Sequence, residues 1–207
     1  MILGIDYSIS SPALCGLFED GSVRFSCLTE KIDSNVLWGD ETFSVEYVSN
    51  KFKKLHPDRT DTERFDYAAA FFTDTIKGWL IDEQCAAAVI EDYSYGSKGR
   101  VFHIAEATGA LKNKVWRKTG ILFTVAAPSE LKKFFHGKGN ADKRQMWDAC
   151  YTRHRKVADA LIGHTWVKTV RKKQMKVDIL PGDSPMADMV DAYAAAQYAG
   201  YLLRGEG

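Results

Sequence analysis

Four acidic residues stand where a metal-dependent phosphodiesterase would need them. Asp6 ends the apolar run Ile2-Leu3-Gly4-Ile5, and Glu91 ends a second run, residues 86–90. Asp188 and Asp191 are three apart in a helix-like stretch, so they share one face. Carboxylates at the ends of adjacent central strands, facing a pair on a helix, can hold two divalent ions. Two such ions can activate a water and stabilise the departing oxygen of a phosphodiester. Magnesium, with its preference for oxygen ligands, is the natural occupant, and Mn²⁺ is the alternative. Taken singly, each residue has a plainer reading: an Asp after a strand is often a turn residue, and an Asp pair on a helix is often a solvated face. Asp188 and Asp191 resist that reading, because Ala187, Met189, Val190, Ala192 and Tyr193 around them are mostly apolar. Carboxylates in such surroundings need a partner.

The rest of the chain must position these groups. Residues 2–7, 13–18 and 23–28 read as a three-strand meander, with Glu19-Asp20-Gly21 as the hairpin turn between the second and third strands. Residues 33–59 are polar and irregular but hold Trp38, Phe43, Tyr47 and Phe52, and read as a partly helical insertion. Residues 62–82 repeat Phe65, Ala68, Ala69, Phe72, Ile76 and Leu80 at helical spacing, with Thr60 or Asp61 as cap. Residues 85–90 read as a buried strand. A loop over 93–99, a helix over 101–119 closed by Gly120, and a strand over 121–126 follow. Short helices are expected at 130–135 and 142–154, and a last one at 186–203. The pattern leaves 157–176 without a clear element. The order predicts an α/β, RNase H-like fold: a five-stranded mixed sheet flanked by helices, with insertions at about 33–59 and 157–183, in one domain spanning 1–207.

The formal net charge of +1 hides an asymmetry. Residues 112–176 hold 17 Lys and Arg against 4 Asp and Glu, whereas residues 1–111 hold 10 against 18. A basic segment beside an acidic cluster points to a polyanionic partner, although solvated helix faces can carry such charge too. No apolar run approaches the length of a membrane span, so no membrane association is expected. The first ten residues lack a basic, signal-like start. Cys15, Cys27, Cys85 and Cys150 form no C-x-x-C pair, which argues against a zinc or redox site and fits a reducing cytoplasm.

Five blocks, led by Ile2-Leu3-Gly4-Ile5-Asp6-Tyr7-Ser8, GKGNADKRQ from Gly137 to Gln145, and Ala187 to Ala194, resemble in order those of the RuvC-type Holliday junction resolvases. Ile2-Leu3-Gly4-Ile5-Asp6-Tyr7-Ser8 is similar to their I-L-G-I-D-x-[GS] opening, and Val89-Ile90-Glu91-Asp92 to their strand ending in a catalytic glutamate. Glu106 to Ala110 resembles the following A-x-G helix. The segment from Gly137 to Gln145, GKGNADKRQ, resembles the G-x-G-x-A-x-K-x-Q block, and Ala187 to Ala194 the A-D-x-x-D-A-x-A helix. Each block is modest alone; five in order across nearly the whole chain are specific.

The resemblance implies Asp6, Glu91, Asp188 and Asp191 as ligands of two Mg²⁺ ions. It places Lys143 and Lys132 near the scissile phosphate, where a lysine can offset developing charge; Lys132 could equally position a phosphate. It implies a homodimer acting on branched DNA, four-way junctions above all, with paired nicks leaving 5′-phosphate and 3′-hydroxyl ends. The helix over 101–118 is a candidate interface, unless its apolar side is core.

Candidate DNA contacts are Tyr93, Tyr95, Lys98 and Arg100 after Glu91, Lys133, Lys138 and Arg144 in the basic segment, and Arg171, Lys172 and Lys173 in the later insertion. Tyr93 and Tyr95 flank Ser94, which stands where bacterial members carry an aromatic, and either tyrosine could stack on an unpaired base. These departures and the two insertions resemble a bacteriophage member, acting in the cytoplasm of a bacterial host. Competing readings are an RNase H-like or broader flap and branch nuclease, and an inactive DNA-binding protein; filled acidic positions disfavour the last. An actin-like kinase is excluded by length and by the lack of a G-x-x-x-x-G-K-[ST] loop.

Overall fold

Alternation along the first strand sets the architecture. In β1 (Ile2–Asp6), Leu3 and Ile5 point to one face of a sheet while Gly4 points to the other. The meander continues through β2 (Ala13–Leu17) and β3 (Val23–Thr29), both antiparallel to their predecessor. β6 (Ala87–Glu91) pairs in parallel with β1, and β7 (Thr124–Ala126) with β6. The computed structural model describes all residues except 33–34, 82, 93–100, 163–165, 171–172, 178–181 and 207, and for 166–170 and 173–177 the backbone only.

The five expected strands are therefore present, but among the described residues the sheet has seven. β4 (Val36–Gly39) and β5 (Phe43–Ser49) extend it in the order β4-β5-β3-β2-β1-β6-β7. This corrects the partly helical reading of residues 33–59: among the described residues there, only the single turn α1 (Phe52–Leu55) is helical. The physical reason is a period of two: in Phe43-Ser-Val-Glu-Tyr-Val-Ser49, Val45 and Tyr47 are buried and their neighbours are not. Trp38 stacks on Tyr47 at 4.9 Å and its indole N–H donates to the Ala160 carbonyl at 3.0 Å.

Two helical layers cover the sheet. α2 (Asp61–Trp79) and α3 (Val101–Thr119) pack on the face bearing Leu3, Ile5, Leu14, Leu28 and Ile90. Thr60 caps α2 through a reciprocal pair with Glu63. The other face carries α4 (Pro128–His136), α5 (Lys143–Arg153), α6 (Arg155–Ile162) and α7 (Met186–Leu203). α6 and the hairpin β8 (Trp166–Val170) and β9 (Lys173–Val177) occupy described parts of the stretch that had no clear element. Cys15, Cys27 and Cys150 are buried, and all four cysteines are free thiols. No helix among the described residues is long and apolar enough to cross a membrane.

The contact that positions the site is α7 on β1. A Cβ at Gly4 would come within 2.2 Å of the Ala192 carbonyl oxygen and the Ala196 nitrogen, so only glycine lets the helix lie this close. One turn further along α7, Gly200 lies over Ile2. The row Asp188, Ala192, Ala196, Gly200 thus runs along β1 in steps of about 6 Å, nearly the about 6.6 Å of two strand residues. Continuing that match beyond Gly4 brings Asp188 to Asp6. Gly4→Ala is expected to destabilise the fold by about 3 kcal/mol, since the clashing atoms are backbone on both sides. Urea unfolding, with cutting assayed on the folded fraction, checks this; unchanged stability would mean that α7 is free to shift.

Candidate metal centre

Asp6 leaves β1 on the face that Gly4 opens, and Glu91 ends β6 beside it, one residue beyond the paired Ile5 and Ile90. Asp188 and Asp191 approach from the first turns of α7, where the helix N-terminus favours negative charge. Carboxylate oxygens of Asp6, Asp188 and Asp191 lie within 4.8 Å of one another. Glu91 adjoins this trio, its charge raising the pKa of Asp6 and Asp191's charge raising its own. The four residues that the sequence singled out are thus gathered at one sheet edge, Asp188 included.

The charges are uncomfortable together. Burial first, then Glu91, Asp188 and Asp191, hold the Asp6 carboxyl well above the usual carboxylate range. Burial and then Asp191 push Glu91 up to about 8, and burial is the main reason Asp191 is pushed up to about 6. Lys143 offsets part of this. Its ammonium donates to Asp188 Oδ1 at 2.6 Å and to the Ser184 hydroxyl at 3.1 Å, and Ser184 also donates to Asp188 Oδ1 at 3.0 Å. Burial works against the lysine's charge, but Asp188 and the other carboxylates outweigh it and raise its pKa. Lys132, on α4, lowers the pKa of Glu91 and Asp191 through its charge.

One oxygen is left over. Asp188 Oδ2 is buried without a hydrogen-bond partner, a costly state for a carboxylate unless a cation meets it. A hard, all-oxygen donor set with an orphaned oxygen and raised pKa values fits Mg²⁺ or Mn²⁺.

The block from Gly137 to Gln145 is mostly scaffold. Gly137 closes α4 with a φ of 100°. A Cβ at Gly139 would meet the Ser129 carbonyl at 2.9 Å. Ala141 is buried, and Asp142 and Gln145 form the reciprocal cap of α5. Lys143 alone turns to the carboxylates. Lys143→Ala is expected to slow cutting about 10²-fold, as loss of one charge-stabilising donor does. Single-turnover rates with Mg²⁺ would read it, and a change within threefold would limit Lys143 to pairing with Asp188.

Among the other candidates, Lys133, Lys138 and Arg144 are exposed around the α4–α5 turn, with the backbone of Gly182 against Arg144. Tyr93, Tyr95, Lys98, Arg100, Arg171 and Lys172 lie outside the described residues, and of Lys173 only the backbone position at the start of β9 is described. The sequence reading missed Ser184, which bridges Lys143 and Asp188, and Lys31, whose ammonium donates to the Ser184 carbonyl at 2.9 Å. No local pattern marks either, because each acts across more than a hundred residues or through a loop. The apolar side of α3 is core: Ala107, Leu111 and Val115 are buried, while Phe102 and Trp116 remain exposed.

No protein-family model and no curated protein sequence matches the chain. Its structure is similar to that of Thermus thermophilus RuvC, with a TM-score of 0.54 and 17% identity over 99% of this chain and 97% of that one. T. thermophilus RuvC in complex with a Holliday junction substrate gives 0.55 at the same identity and coverage. The yeast mitochondrial Holliday junction resolvase Ydc2 is a looser likeness, at 0.49 and 14% identity over 97% of this chain and 78% of that one. Strand order, flanking helices and near-complete overlap with RuvC lead to one conclusion: this chain has the RNase H-like fold of RuvC.

Proposed function

We propose that the chain is a metal-dependent endonuclease that resolves four-way DNA junctions by paired nicking. The observation that carries this reading is the convergence of Asp6, Asp188 and Asp191 within 4.8 Å, with Glu91 beside them and Asp188 Oδ2 unpartnered. The resemblance of the sequence blocks and the fold shared with RuvC support the substrate.

Asp6, Glu91, Asp188 and Asp191 would hold two Mg²⁺ ions. When bound, these ions supply an activated water and charge stabilisation for the departing oxygen. The chain's own residues set the geometry. β1 and β6 fix Asp6 and Glu91 on rigid strands, and α7 holds the helical pair against them. Lys143 is kept at the rim of the site by Asp188 and Ser184, with half of its side chain exposed, where an approaching phosphate would meet it. Lys132 adds positive charge from α4. Exposed Lys133, Lys138 and Arg144 would engage the phosphates of an arm. The products are 5′-phosphate and 3′-hydroxyl ends. Because a junction is two-fold, two copies would act together as a homodimer, each nicking one strand. The exposed Phe102 and Trp116 on α3 are available to that contact.

The experiment is to incubate the protein and Mg²⁺ with a synthetic four-way junction, a nicked duplex, a flap and an RNA–DNA hybrid. Symmetric paired nicks confined to the junction are expected. Equal cutting of the hybrid would establish an RNase H-like nuclease instead.

A further inference from the structure

The edge of the sheet that carries the metal centre carries a second feature, outside it. β3 runs parallel to β1 because two antiparallel steps separate them, and β5 is parallel to β3. The ends of β1, β3 and β5 therefore emerge on the same edge. Past the metal centre that edge passes Lys31, tied to Ser184, and then reaches Asn50 and the residues 51–59. Three inter-strand steps of about 4.8 Å place Tyr47 level with Asp6 about 14 Å away, and Asn50, three residues further along, at about 17 Å, about five nucleotides of a duplex strand at about 3.4 Å each.

Residues 51–59 hold Lys51, Lys53, Lys54 and Arg59 against a single acid, Asp58. Three nearby acids are already engaged. Arg64 binds Glu30 at 2.9 Å, Arg59 binds Glu63, and Lys114 binds Asp66 at 2.7 Å. Among the described residues Lys51, Lys53 and Lys54 have no carboxylate partner, so no ion pair there compensates their charge. They line one shallow groove with Glu30, Ile32 and Asn50. A second, more apolar groove of about 460 Å³ adjoins it, floored by Phe52, His56 and Tyr67, with Lys51 shared between the two. Phe52 lies 5.1 Å from the His56 ring and 5.2 Å from Tyr67, and Tyr67 is 41% exposed.

We infer that this patch, built by the insertion between β3 and α2, is a second DNA-binding surface: Lys51, Lys53 and Lys54 take the phosphates of a strand leaving the cut site, and Phe52 and Tyr67 take an unpaired base. Cationic side chains beside aromatic faces are what a strand with unstacked bases requires. A protein segment would find the same apolar floor, but the uncompensated lysines and the shared edge with a phosphodiester-cutting site favour DNA. The inference rests on the junction-nuclease reading above.

The test is the salt dependence of binding. Fluorescence anisotropy of a labelled four-way junction, with EDTA present to prevent cutting, is measured between about 50 and 200 mM NaCl for four proteins. These are the wild type, a variant combining Lys51→Ser, Lys53→Ser and Lys54→Ser, its Lys→Arg counterpart, and Tyr67→Ala. Each phosphate contact contributes about 0.9 to the slope of log affinity against log salt. The serine variant should lose about 2 to 3 from that slope and bind at least about tenfold more weakly at low salt. The arginine variant should keep the slope. Tyr67→Ala should weaken binding of a junction with an unpaired nucleotide in the arm about tenfold and leave the slope unchanged. Thermal unfolding confirms that each variant is folded. A serine variant with the wild-type slope would overturn this surface and leave it to a protein partner, with the nuclease reading intact. A wild type that binds no junction at any salt would instead overturn the nuclease reading.

Discussion

Asp6→Asn is expected to lower junction cutting by about 10³-fold or more, which corresponds to about 4 kcal/mol of lost transition-state stabilisation. Asp6 feels the charge of every other member of the cluster: Glu91, Asp188 and Asp191 each raise its pKa. It also sits on an interior strand, paired on both sides by β2 and β6. Junction affinity, measured without metal, should stay the same or rise slightly, since a negative charge facing the DNA has gone. Rates and affinities should be compared on the same junction with Mg²⁺ and with EDTA. Cutting within tenfold of wild type would show that Asp6 is not a ligand. Asp188→Asn is a harsher change, because it also loosens Lys143 and Ser184. If that variant loses junction binding as well as cutting, the Lys143–Asp188 pair organises the DNA surface in addition to holding metal.

The metal-free protein should become less stable as pH rises from about 5 to 8.5, and Mg²⁺ or Mn²⁺ should cancel the loss. Asp191 is raised to about 6 and Glu91 to about 8 in the folded state, mainly by burial. Unfolded, such groups titrate near 3.9 and 4.3. The folded form therefore binds protons more tightly. Its contribution to stability is complete below the unfolded values and is lost as pH passes through about 6 and then about 8. Because neighbouring carboxylates share these protons, the loss should amount to about 2–3 kcal/mol, about 5–10 °C in Tm. Asp191→Asn should flatten the lower part of the profile and raise Tm at pH 8 in EDTA. Thermal unfolding against pH, with and without the ion, checks both statements. A chelated protein whose Tm is flat over this window would mean that Glu91 and Asp191 are not held buried in the folded protein.

Much of this was legible before the fold was known. The meander, the strand ending at Glu91 and the helices over 101–119 and 186–203 declare themselves because their apolar residues follow one period without interruption. The 33–59 segment was harder. Its strand β5 alternates over only seven residues, and its aromatics were as compatible with a helix. β7 shrank to Thr124–Ala126 because residues 121–123 have no neighbour in the ladder. The sequence leaves the apolar side of α3 open to core or interface; its buried Leu111 and Val115 give that side to the core.

The amino-acid sequence by itself determined which carboxylates belong together, since local patterns place Asp6 and Glu91 at strand ends and Asp188 and Asp191 on one helical face. It also determined that Lys143 begins a helix, through the reciprocal cap of Asp142 and Gln145. Only the tertiary structure decided that the two pairs meet, because this depends on Gly4 admitting the backbone of Ala192 and Ala196. Only it showed that Asp188 divides its oxygens, one to Lys143 and Ser184 and one left unpartnered. It alone set the lysines of residues 51–54 on the same sheet edge as the metal centre. The reason is one of range: capping and periodicity act within a few residues, whereas these contacts join positions far apart in the chain through the stacking of a helix on a sheet.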